Sequence, residues 1–71
     1  MLITTLNTTR GRLAHYDGRW HLLDRHLGFD GSKKSELFLL PVEVSESEIN
    51  EAFADSANVS SVEAKIVNFK A

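Results

Sequence analysis

The dipeptide Asp17-Gly18 constrains this chain more than any other feature, because it joins two alternating segments within Arg10 to Arg25. Asp-Gly between such segments is the strongest short-range hairpin signal a sequence can carry. A two-residue type I′ loop there pairs Tyr16 with Arg19, His15 with Trp20, Ala14 with His21, Leu13 with Leu22 and Arg12 with Leu23. Period-two alternation then sorts the side chains into two faces. Leu13, His15, Trp20 and Leu22 are expected against the core, while Arg12, Ala14, Tyr16, Arg19, His21 and Leu23 share the other face, with arginines around a tyrosine and a histidine.

The 71 residues are expected to form one domain, 1–71. A chain this short buries only about 60% of its unfolded surface, so its core is modest. It has no cysteine to staple that core, which excludes disulfides, thiolate zinc sites and cysteine nucleophiles and agrees with a reducing compartment. Met1 to Leu6 has no basic flank and no long apolar run, so neither a signal peptide nor a membrane span is expected, and a cytoplasmic location is.

The net charge of −2 is unevenly spread. Residues 1–34 carry six Lys/Arg against three Asp, whereas residues 35–71 carry two Lys against seven Asp/Glu. Such polarity either marks a partner surface or is neutralised where the halves fold side by side, and the second reading is preferred.

Along the chain, Leu2 to Leu6 is β-branched and apolar and reads as a first strand, followed by a turn or a bulge near Gly11. After the hairpin, His26 to Ser35 reads as an exposed connecting loop. Gly28-Phe-Asp-Gly31 within it lacks both Walker spacing and the flanking helices of a KH loop, so a phosphate site is not expected there. Glu36 to Val44 is the most hydrophobic segment, with Phe38, Leu40, Val42 and Val44 on one face and Leu37 and Leu39 on the other. Pro41 cannot donate to a ladder, so one side of that strand must open there, as an edge or a bulge.

Ser45 opens a helix with several agreeing signals. Glu48 completes a capping box, Val44 and Ile49 form a hydrophobic staple, and Ile49, Ala52, Phe53 and Ala57 make the buried stripe before a stop at Asn58. Val59 to Phe69 alternates as a last strand, with Val62, Ala64 and Ile66 inward and Glu63, Lys65, Val67 and Phe69 outward. The fold class is therefore α+β, a mostly antiparallel sheet of four to five strands with one helix packed on it. The rival is a small OB/SH3-like partly closed barrel; merging the first two strands reproduces the OB order but leaves it one strand short.

Catalysis is not expected. The hairpin puts His15 and His21 on opposite faces, the His15, His21 and His26 spacings match no zinc pattern, and no nucleophile-base or paired-carboxylate set can be placed. No catalytic, cofactor or metal residue is assigned. The first functional reading is a protein-interaction protein of accessory, adaptor or inhibitor type, using the acidic helix residues Glu48, Glu51 and Asp55 or an exposed strand edge; a homodimer through the edge near Pro41 is a variant of it. The second is nucleic-acid binding, with Arg10, Arg12, Arg19, Lys33 and Lys34 on phosphates and Tyr16 and His21 stacking on bases. It ranks lower, because one tyrosine is far short of an RNP aromatic set and the domain is acidic overall.

Overall fold

The computed structural model describes residues 1–29 and 34–69. Its elements are β1 (Leu2–Thr8), β2 (Gly11–Tyr16), β3 (Arg19–Phe29), β4 (Ser35–Pro41), α1 (Glu46–Phe53), a 3₁₀ turn (Ser56–Asn58) and β5 (Val59–Phe69). The strands close into a barrel in the order β1-β2-β3-β4-β5. Neighbours are antiparallel except β4 and β5, which are parallel. A parallel pair needs a long crossover, and the segment from Val42 to Asn58, with α1 inside it, supplies one. No helix among the described residues is long and apolar enough to cross a membrane.

The hairpin forms where the sequence places it. Asp17 (φ 54°) and Gly18 (φ 80°) both occupy the left-handed region that a type I′ turn requires. The register runs Tyr16↔Arg19, His15↔Trp20, Ala14↔His21 and Leu13↔Leu22. Between β1 and β2 the alternatives resolve to a turn at Thr9-Arg10, after which Gly11 (φ 128°) starts β2. Keeping β1 and β2 separate provides the fifth strand that the barrel reading lacked, and the helix then falls between the fourth and fifth strands.

The two hairpin faces are corrected. The barrel interior takes the face assigned to the arginines: Ala14 is buried with Ile3, Leu37, Leu39 and Ala64, and Tyr16, Leu23, Val62 and Ile66 pack on that cluster. A five-stranded barrel is narrow, so small inward side chains such as Ala14, Ala64 and Thr5 let it close. While Leu23, Leu37 and Leu39 face inward, a second set of leucines lies outside. Leu6, Leu13, Leu22 and Leu40 stand in register across β1, β2, β3 and β4. Of these, Leu6 and Leu13 are completely buried, on the side where α1 packs against β1. The chain therefore has an inner core and an outer apolar layer under its helix.

One side of β4 opens at Pro41, as expected. β4 pairs with β3 as far as Pro41 but with β5 only as far as Leu39, so Pro41 lies beyond the last residue paired with β5, where its missing N–H breaks no ladder bond. Up to Leu39 that side is covered by β5, so closure confines the open stretch to the end of the strand. A bulge at Asp24 lets β3 curve, placing Leu23 opposite Leu39 and Arg25 opposite Phe38. β3 continues to Phe29, so much of the expected loop is strand; residues 30–33 lie outside the described residues. The last strand keeps its expected phase, with Ala64 buried and Glu63, Lys65 and Val67 exposed.

Candidate docking face and the dispersed basic residues

α1 begins as its residues dictate. Ser45 Oγ accepts a hydrogen bond from the Glu48 amide at 3.3 Å, and Glu46 and Glu48 place negative charge at the positive end of the helix. The Glu48 carboxylate, rather than closing the capping box, accepts from Arg10 Nη1 at 3.2 Å, and the same nitrogen donates to the Glu43 carbonyl at 2.9 Å. Arg10 thus ties the β1–β2 turn to the start of α1. The helix ends at Phe53 with Ala54 as its C-cap, short of the stop expected at Asn58; Asn58 lies in the 3₁₀ turn and reaches back to the helix end, its Nδ2 donating to the Ala52 carbonyl at 2.9 Å. Asp55 is spent locally, with Oδ1 accepting from the Ala57 amide at 3.0 Å to cap the 3₁₀ turn.

Of the three acidic helix residues singled out from sequence, Glu48 and Asp55 therefore hold the fold, while Glu51 carries an exposed carboxylate. Glu51 rims a cleft of about 370 Å³ floored by Ala52 and bounded by Asn7, Thr8 and Asn58. A second cleft of about 400 Å³ lies on the other side of Glu48, beside Arg10 and Glu43. The buried stripe is only partly as expected, since Ala52 is buried but Phe53 is 44% exposed. The Phe53 ring meets Trp20 edge-on, with centroids 6.0 Å apart, and Trp20 in turn meets His15 at 5.0 Å.

The basic residues do not make one surface. Arg12 Nη2 donates to Thr5 Oγ1 at 3.0 Å and to Ser60 Oγ at 2.9 Å, and these two hydroxyls are 2.7 Å apart, so Arg12 stitches β2 to β1 and β5. Arg19 and Tyr16 pair at the hairpin turn, about 13 Å along β2 from Arg12 at ~3.3 Å per residue. Arg10 lies still further away, in the β1–β2 turn. Lys34 is within 3.8 Å of Glu63, and Lys33 lies outside the described residues. The expectation that His21 stacks on bases is corrected, because His21 is completely buried. Tyr16 is partly buried against the core. Among the described residues, no group of three His, Asp or Glu side chains could hold a metal ion.

Two titrating groups are perturbed. Burial pushes the His21 imidazole below its ordinary value and the nearby Arg19 charge pushes the same way; these outweigh hydrogen bonding to the Ala14 and Arg19 backbone and the Asp17 charge, which raise it. The Glu63 carboxylate lies below the usual range, chiefly because it accepts a hydrogen bond from the Met1 ammonium group. Comparisons of the chain with protein-family models, with curated proteins and with solved structures find no match. Pairs such as Arg10–Glu48 and Trp20–Phe53 join residues more than 30 positions apart. Neither has a signal in local spacing.

Proposed function

We propose that this chain is a small non-catalytic binding protein that docks another protein on the outer face of α1, in a cytoplasmic setting compatible with its lack of cysteine. One observation carries the reading: α1 leaves the Phe53 ring and the Glu51 carboxylate exposed, while Glu48 and, just beyond the helix, Asp55 are engaged within the fold. Docking sites concentrate aromatic anchors at their centres and polar or charged groups at their rims, the roles open to Phe53 and Glu51. The basic residues support the nucleic-acid reading less, because they are spread over both ends of β2 and Arg10 and Arg12 are engaged within the fold.

A photo-crosslinking residue at position 50, exposed beside Glu51, compared with one at exposed position 26 of β3, tests this in cells of the source. A partner crosslinked from 50, absent from 26, and lost on Phe53→Ser in a folded chain is the expected result. Equal crosslinking from both positions overturns the docking face. Saturable, salt-sensitive oligonucleotide binding lost on Arg10→Ala/Arg19→Ala replaces it with the nucleic-acid reading.

A further inference from the structure

The cleft beside Glu51 lies between the end of β1 with its turn and one flank of α1, and much of the donor capacity of its walls is already spent. Thr8 Oγ1 donates to the Gly11 carbonyl at 2.8 Å and accepts from the Arg10 amide at 3.2 Å. Asn58 Nδ2 donates to the Ala52 carbonyl at 2.9 Å, so the amide oxygen is the accepting end that Asn58 has left. Asn7 and Thr9, the other neutral polar walls, can serve as donor or acceptor. Against these stand the carboxylates of Glu48 and Glu51, and no basic side chain among the described residues lines the cleft. The cleft is therefore rich in acceptors and negatively charged, which suits a ligand made of donors and carrying positive charge.

Glu48 and Glu51 are three residues apart and adjacent on the helix surface, where like charges repel. Arg10 offsets the first of them from the neighbouring cleft, donating through Nη1 to Glu48 Oε2 and to the Glu43 carbonyl. This flank of α1 thus already seats one guanidinium, on a carboxylate and a carbonyl together, while Glu51 remains exposed. We propose that the cleft seats an arginine side chain of the docked protein, its guanidinium on Glu51 and its aliphatic stem along Ala52. A guanidinium presents five N–H donors in one plane and no acceptor, so it can serve Glu51 and a neighbouring amide oxygen at once, where a compact ammonium group matches the pair less well. A buried alanine floor with a carboxylate at the rim fits a side chain that is apolar along its stem and charged at its tip. The volume of about 370 Å³ lies in the range that encloses small ligands and has room for one such side chain. The assignment rests on the docking face at α1 and names what the docked protein presents there.

The test titrates the nitrogen-15-labelled full chain with acetyl-Gly-Arg-Gly-amide and with its lysine and citrulline counterparts, citrulline being the neutral analogue of arginine. The expected result with the arginine peptide is saturable NMR shifts confined to residues 48–52 and the side-chain amides of Asn7 and Asn58, weakening with salt. Binding is expected to fall by about tenfold or more with citrulline and in Glu51→Gln, whose exposed position leaves the rest of the spectrum unchanged. No saturable shift with the arginine peptide, or equal binding of the citrulline peptide, overturns the proposal. Lysine bound as tightly as arginine overturns the choice of a guanidinium. Crosslinking from position 50 decides the docking face separately. A partner captured there, lost on Phe53→Ser and kept on Glu51→Gln, leaves the docking face standing and removes the arginine site; arginine-peptide binding with no partner captured removes the docking face and leaves the cleft.

Discussion

The Trp20 indole and the Phe53 ring meet edge-on, with centroids 6.0 Å apart and planes inclined by 65°, and this pair joins the barrel wall to its only described α-helix. Edge-to-face pairs contribute about 0.5–1.5 kcal/mol beyond the area they bury. Phe53→Ala is expected to lower unfolding free energy by about 1 kcal/mol and to shift the emission of Trp20, the one tryptophan of the chain, to longer wavelength as water reaches the indole. Urea denaturation followed by fluorescence checks both, and emission that does not move would show that the indole is shielded by something other than Phe53.

Leu6 and Leu13 are completely buried outside the barrel, whereas Leu22, in register with Leu13, is only partly covered. Leu6→Ala and Leu13→Ala are each expected to cost about 2–5 kcal/mol, and Leu22→Ala clearly less. A domain of this size has roughly 4–10 kcal/mol in total, so the Leu6→Ala/Leu13→Ala chain is expected to be largely unfolded at 25 °C by circular dichroism. A native spectrum from the double variant would demote the outer layer to a minor role.

Arg10 and Arg12 make different kinds of contact and should respond differently to salt. Arg12→Met removes two hydrogen bonds to hydroxyls while leaving Thr5 and Ser60 bonded to each other, at an expected cost of about 1–2 kcal/mol that does not depend on ionic strength. Arg10→Met breaks an ion pair with Glu48 that is partly open to solvent, and is expected to cost about 1 kcal/mol or less, shrinking further in high salt. Denaturation of both variants at low and high sodium chloride separates them.

The Met1 ammonium group holds the Glu63 carboxylate in its charged form. A carboxylate depressed in the folded state contributes stability above its unfolded value, here 4.5, and loses it as pH falls through the folded value. Acetylating the N-terminus removes the positive charge, so NMR titration of the acetylated chain should show the Glu63 midpoint moving up toward 4.5. A midpoint that stays low would assign the depression to Lys34, the other cation near Glu63.

Ser45→Ala deletes the side-chain acceptor for the Glu48 amide and is expected to cost about 0.5–2 kcal/mol. Its exchange signature should be confined to the first turn of α1, and protection lost across the whole helix would mean that the cap is needed for α1 to form at all.

Much of the local structure is legible without coordinates. The Asp17-Gly18 turn, the hairpin register, the Ser45 cap and the phase of β5 all depend on residues within a few positions of one another, where backbone preference and period-two alternation act directly. The candidate site was only partly legible. Glu48, Glu51 and Asp55 are equivalent as acidic residues on a helix, and only their distant or local partners, Arg10 and the Ala57 amide, separate the two that hold the fold from the one left exposed. His21 likewise reads as a polar residue on an arginine face until the barrel encloses it.

What the sequence by itself determined is therefore a set of elements and their pairings: a type I′ hairpin, a capped helix after a hydrophobic strand, and an alternating last strand. What only the tertiary structure decided is which face of each strand is inside. Both faces of β2 carry apolar side chains, Leu13 on one and Ala14 on the other, so alternation alone cannot choose between them. Closure chose, because the interior of a five-stranded barrel is too narrow to be lined by leucines on every strand and is filled around Ala14, Ala64 and Thr5, while Leu6 and Leu13 went outside beneath α1. Inside and outside are relations among all five strands and the helix, and no stretch of a few residues contains them.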